Sequence, residues 1–254
     1  MNDAAAARLR SGAECLGTWL SIGAPMISEL AVECGFDWLL FDLEHGRASE
    51  DDILPNLQAV RGSQAAAIVR VGAPASDLIL RVLDWGADGI MVPHVANRAE
   101  AEHCVKAVRY PPDGHRGFSS SARAYGYGLR APDLSKPLPE PFLTMQIETI
   151  EGVENVREIA GVNGVDALFV GPSDLKFNLA RNGGKYPAYT QCLDRIAKAA
   201  KEAGIPWGIL VREPSKLEIL RSMGATLLAV DSDLGILREG YRAILQENSG
   251  PAEQ

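Results

Sequence analysis

Much that commonly announces a function is missing from this sequence. Only 6% of its 254 residues are aromatic, and four cysteines (Cys15, Cys34, Cys104, Cys192) lie scattered, with no C-x-x-C and no paired histidines. That spacing excludes a zinc ribbon, and in a chain able to bury a sizeable core it favours reduced thiols over a disulfide framework. No apolar run approaches the roughly 20 residues that cross a bilayer. The amino terminus, MNDAAAARLRSG, lacks the apolar stretch of a secretory signal, so a cytoplasmic location is expected. Basic residues form no run, and 25 of them against 33 acidic ones give a net charge of −8. Neither nucleic acid nor an anionic membrane is an expected partner of such a chain. A G-x-G-x-x-G fingerprint, a P-loop and a G-x-S-x-G elbow are all absent.

What is present is an alternation of two textures. Short apolar or β-branched runs predict strands at 16–22, 38–43, 67–71, 89–93, 142–147, 167–170, 207–211 and 227–230. Stretches of helical period lie between most of them, at 25–34, 50–61, 74–85, 98–108, 152–159, 188–203, 214–223 and 235–246. Several of these end at a glycine, in ECGFD, DWGADG, EAGIP and SMGAT, where a left-handed residue closes a helix at little cost. Strands alternating with helices over this length predict a single α/β domain, 1–254, folded as a closed (β/α)8 barrel. A doubly wound open sheet is the rival architecture. One connection, 109–141, is long and rich in Gly, Pro and Ser, the texture of a lid or interface loop. The tail 248–254 is expected to fray.

In a (β/α)8 barrel, chemistry gathers at the carboxyl ends of the strands, and here those ends carry charge. The second ends in Asp42-Leu43-Glu44-His45, the third at Arg70, the fourth at Pro93-His94 and the fifth in Gln146-Ile147-Glu148. The sixth ends in Gly171-Pro172-Ser173-Asp174 and the eighth in Asp231-Ser232-Asp233. Stability alone does not account for so many, since a buried charge costs several kcal/mol unless it is paired or bound to metal.

Glu148 and Asp174, on neighbouring strands, form a candidate site for one hard divalent cation, Mg²⁺ or Mn²⁺. The competing reading makes both of them helix caps. His45, near Asp42 and Glu44, is a candidate general base, and Asp84 is a candidate neighbour to it. Arg70 suits an oxyanion or a carboxylate, unless it is simply paired with Asp42 or Glu44. The Gly171-Pro172-Ser173 turn opens a helical segment whose N–H groups suit an anion. His103 reads as a helix-surface residue, and His94 and His115 carry no deciding context. No predicted strand contains the lysine that a Schiff-base aldolase needs.

The run FDLEHG, IVRVG, VLDWGADGIMVPHV, RYPPDGHRG, MQIETIEGVEN, VDALFVGPSDL and VDSDLGIL resembles the HpcH/HpaI family of metal-dependent class II pyruvate aldolases. That resemblance implies a barrel of the phosphoenolpyruvate/pyruvate-domain type, with a terminal helix exchanged between subunits of a homohexamer. It implies cleavage and formation of 4-hydroxy-2-oxo acids through a pyruvate enolate and an aldehyde. By it, Glu148 and Asp174 are the metal ligands, with Mg²⁺, Mn²⁺ or Co²⁺ as the ion. Gln146 and Ser173 contact the substrate, and Trp19 lines the pocket beside Gly171 and Pro172. His45 is the base, Asp84 raises its basicity, and Arg70 stabilises the oxyanion. The sequence departs from the family in GFSSSARAYGYG, in the LKFN that follows Asp174, and at Asp231, which leaves the aldehyde open. A CoA-ester lyase of the citrate-lyase β-subunit type and a non-catalytic binding barrel are the alternative functions.

Overall fold

A computed structural model describes residues 2–183 and 188–248. Eight parallel strands close on themselves in chain order: β1 (Cys15–Leu20), β2 (Trp38–Asp42), β3 (Ala66–Arg70), β4 (Gly89–Val92), β5 (Phe142–Ile147), β6 (Ala167–Val170), β7 (Trp207–Val211) and β8 (Leu227–Ser232). The expected barrel is therefore the fold, and the open sheet is not. Most strand residues are buried, because helices cover the outside while side chains fill the inside, which is why the strands are continuous apolar runs.

Successive side chains on a strand point to opposite faces. The outward set packs against the helices in one large apolar layer that includes Leu39, Phe41, Val69, Ile90 and Val170. The inward set begins apolar and ends polar. On β2 it runs Trp38, Leu40, Asp42; on β3, Ala66, Ile68, Arg70; on β5, Phe142, Thr144, Gln146, with Glu148 next in the series. The same alternation that builds the core thus delivers charge to one end of the barrel.

The opposite end is closed by a helix that periodicity did not predict, Asp3–Arg10. Leu9, 2% exposed, joins Trp38, Ile68, Met91 and Phe142 on the barrel floor. Arg10 fixes the helix in place through Asp166 at 2.8 Å and the carbonyls of Glu140 and Pro141. A second helix outside the predicted set, Pro172–Arg181, follows β6. The predicted helix at 152–159 is two short ones, Ile150–Glu154 and Val156–Ala160, hinged at Asn155. The first strand stops at Leu20, short of the predicted 22.

The 109–141 connection runs along the outer wall. Arg123 donates to the carbonyls of Trp85 and Leu57, while Tyr125 meets Phe118 and Tyr110. None of its described residues lines the cavity at the charged end. The last helix, Asp233–Asn248, is anchored by the Asp233 carboxylate, which accepts from the N–H groups of Ser21 and Ile22. Beyond Gly235 it leaves the barrel with Ile236, Tyr241 and Ile244 exposed. The tail expected to fray lies outside the described residues after Asn248. Among the described residues no helix is long and apolar enough to cross a membrane, and Cys15, Cys34 and Cys104 form no disulfide.

Candidate active site

Parallel pairing sets Asp42 directly across from Arg70 in the β2–β3 register. The Arg70 guanidinium donates from Nε to Asp42 Oδ1 at 2.9 Å and from an Nη to Oδ2 at 2.7 Å. Asp42 also accepts from Trp19 Nε1 and from the backbone N–H groups of Glu44 and His45. Burial pushes the Asp42 carboxyl up, but Arg70 and these N–H groups outweigh it and hold the pKa below the usual range. Arg70 lies over the Trp19 ring at 5.0 Å, and its other Nη is 2.8 Å from Glu44 Oε2. That last contact is an ion pair by distance only, because Glu44 Oε2 has no hydrogen-bond partner of acceptable direction. The sequence alternatives for Arg70 were an ion pair or an anion site. It is paired with both carboxylates and it also faces the cavity, so it is a rigidly held cation at the barrel mouth.

Glu148 is 1% exposed. Its Oε1 accepts from the backbone N–H of His94 at 2.8 Å, and its Oε2 accepts from Gln146 Nε2. Burial raises its pKa; the N–H and charge of His94 oppose that, while the neighbouring Glu44 and Asp174 add to it. Gly171 is part of this cradle, since a Cβ there would lie 2.1 Å from Glu148 Oε2. Neither acidic residue caps a helix. Thr149 does that for Ile150–Glu154, its Oγ1 accepting from Gly152 N–H at 3.0 Å. Asp174 lies in the first turn of Pro172–Arg181, and among the described residues its carboxylate has no hydrogen bond or ion pair. Gln146 Oε1 is buried without a partner.

Beside these groups is a cavity of about 290 Å³ whose walls include Trp19, Asp42, His45, Arg70, Gln146, Gly171, Pro172, Ser173 and Asp174. His45 is mostly exposed there, with Glu44 at 4.0 Å from Nε2. Asp84 is not beside it in the protomer: its carboxylate holds Arg116 at 2.8 Å. Asp84 is a candidate neighbour of His45 by family resemblance and not by strand-end position; in the protomer it ends the helix Ser76–Asp84 and pairs with Arg116. The sequence left His94 undecided, yet the structure puts it in the middle, with Nδ1 3.1 Å from Glu148 Oε1 and Nε2 3.0 Å from Glu44 Oε1. Only its place at a strand end hinted at that. Arg212 and Arg238, also not singled out, stand at the rim.

The sequence matches the model of the HpcH/HpaI aldolase/citrate lyase family over residues 16–239. The chain belongs to that family. Among curated HpcH/HpaI relatives it is 38% identical over 230 residues to the 5-keto-4-deoxy-D-glucarate aldolase of Shigella dysenteriae, covering 90% of each chain. An HpcH/HpaI aldolase/citrate lyase family protein from Burkholderia cenocepacia superposes with a TM-score of 0.89 at 33% identity, over 95% of this chain and 97% of that one. The HpcH/HpaI aldolase from Desulfitobacterium hafniense gives 0.85 at 26%, with 98% of each covered. Both the family and the aldolase-type lyase activity expected from the sequence hold.

HpcH/HpaI chemistry implies a divalent cation, and the donor set suits one. Two carboxylates converge on a single imidazole, Glu44, His94 and Glu148 each offering a ligand atom within 4.8 Å of the others, and the charge of Asp174 acts on Glu148. One buried oxygen, Gln146 Oε1, has no partner, and Glu44 Oε2 has only its ion pair with Arg70. All these donors are oxygen or imidazole nitrogen, with no thiolate, a set suited to Mg²⁺ or Mn²⁺.

Proposed function

We propose that this protein is a class II pyruvate aldolase. It cleaves 4-hydroxy-2-oxo acids to a pyruvate enolate and an aldehyde, and runs the reaction in reverse. The observation that carries this reading is the buried Glu148, held by His94 and Gln146, with Asp174 near enough to raise its pKa and itself lining one cavity with the fixed guanidinium of Arg70. Glu148 and Asp174 would hold the ion, Mg²⁺ or Mn²⁺ by donor type. When bound, the ion supplies Lewis acidity that makes loss of a proton or carbon fragment next to the keto group feasible.

The rest is the work of side chains. Ser173 and Gln146 flank the 2-oxo acid. The first N–H groups of Pro172–Arg181, exposed at the cavity by the Gly171-Pro172 turn, receive its carboxylate. Arg70 faces the oxygen where negative charge grows. Asp42 and Glu44 hold it, so it needs no reorganisation, and a preorganised donor of that kind contributes about 3 kcal/mol. His45, at the open rim, takes the proton of the C4 hydroxyl in cleavage and returns it in condensation. Trp19 walls the deep side. Within one protomer Glu44, not Asp84, is the carboxylate close to the imidazole. Arg212 and Arg238 suit an aldehyde that bears a carboxylate, in keeping with the dicarboxylate named for the Shigella relative. The aldolase names of the curated relatives favour this reading over the CoA-ester lyase.

Proton exchange tests the proposal. Pyruvate in D₂O should lose its methyl NMR signal in the presence of protein with Mg²⁺ or Mn²⁺ and keep it in EDTA. Glu148→Ala and Asp174→Ala should each abolish the exchange. Exchange that persists in EDTA overturns the reading.

A further inference from the structure

His94 follows Pro93 at the end of β4 with φ of 57°, a left-handed conformation that residues with a Cβ rarely adopt. What that backbone geometry achieves is visible in three contacts. The His94 N–H points at Glu148 Oε1 at 2.8 Å, the ring Nδ1 returns to the same oxygen at 3.1 Å, and Nε2 reaches Glu44 Oε1 at 3.0 Å. The other oxygen of Glu148 is taken by Gln146 Nε2 and packed over Gly171. Both oxygens of Glu148 are therefore fixed by His94 and Gln146, with Asp174 close enough for its charge to act on the same carboxyl. Glu44, at the far end of the imidazole, is in turn 2.8 Å from Arg70. The result is one polar band, Glu148–His94–Glu44–Arg70–Asp42, that links the proposed cation ligand to the proposed oxyanion donor.

We propose that His94 is a positioning residue. It locks the rotamer of Glu148 so that this carboxylate and Asp174 can share one cation, and it couples that carboxylate to the Arg70 arm of the site. The inference rests on the cation-binding reading above and adds to it a residue that holds a ligand without being one. Partners that orient a metal ligand typically cost 10–100-fold in affinity when removed. A His94→Asn variant keeps a donor near the position of Nδ1 and tolerates positive φ, whereas His94→Ala keeps only the backbone N–H.

Mn²⁺ binding to the full-length protein and both variants, followed by titration calorimetry and by EPR, tests this. His94→Ala should bind Mn²⁺ about 10–100-fold more weakly while still unfolding cooperatively in its metal-free form. His94→Asn should recover binding to within a few-fold of the unaltered protein. Saturating Mn²⁺ should return pyruvate exchange by His94→Ala to near the unaltered rate. Pulsed EPR of the unaltered protein should show no directly bound imidazole nitrogen. Equal affinity in His94→Ala and the unaltered protein overturns the inference alone, as does a directly coordinated nitrogen that vanishes in His94→Ala. No Mn²⁺ binding by the unaltered protein overturns it together with the proposed function.

Discussion

Arg70 is 4% exposed, and at that depth a guanidinium survives only because Asp42 answers it with both oxygens. Such a pair adds little net stability, but losing one partner strands the other and costs about 3–5 kcal/mol. Asp42→Asn is expected to destabilise the protein by roughly that amount at neutral pH. The sign of the pH dependence follows from the depressed Asp42 pKa. The unfolded chain takes up this proton at higher pH than the folded one does. The stabilisation is therefore full above about pH 4 and disappears as pH falls through the lower folded value. Urea unfolding of both proteins from pH 7 to pH 3 should show the gap between them shrinking on the acid side. At this scale the sequence was informative where alternation applies: Asp42, Arg70, Gln146 and Glu148 all continue inward series of their strands. It was silent on His94, because a lone histidine after proline has no period to obey, and its role depends on a backbone angle and on two carboxylates from other strands. It left the place of Asp84 open, because that residue's neighbours in the protomer are set by how a loop 32 residues further on folds back to bring Arg116 against it.

Among the elements, the helix Asp3–Arg10 does the most with the fewest residues. It is eight residues long and alanine-rich, too short to hold a helix alone. Its stability comes from docking: Asn2 caps it, Arg10 is tied to Asp166, and Leu9 fills the floor of the barrel. That is why helical period did not reveal it. Leu9→Ala removes a fully buried side chain and should cost about 2–5 kcal/mol, read as a lower melting temperature. The pyruvate exchange rate at 25 °C should stay within about twofold, since the charged rim lies at the other end of the strands. The helix Pro172–Arg181 was foreshadowed only by its opening turn, because the run PSDLKFNLAR buries a single residue, Leu175, and so shows little apolar period.

For the molecule as a whole, the terminal helix is the unfinished part. It buries Asp233 and Gly235 and presents Ile236, Tyr241 and Ile244 to solvent, an apolar face that a monomer does not ordinarily display. A second copy of the chain, exchanging this helix within a homohexamer, is the occupant we propose. Sedimentation of the unaltered protein should then give a single species several times the 27.2 kDa of the chain. Ile244→Glu combined with Tyr241→Glu should shift it toward the monomer. A monomer at micromolar concentration without substitution would exclude the exchanged helix.

The plug formed by Leu9 and its neighbours has a kinetic corollary. A vessel stoppered below has one doorway, so reactant and both fragments share a single route. In the proposed reaction the keto-acid fragment would lie innermost, near Glu148, and the aldehyde fragment nearer the exit beside His45 and Arg212. On that proposal departure would be sequential, aldehyde first, and product-inhibition kinetics should show pyruvate competing with substrate for the free enzyme.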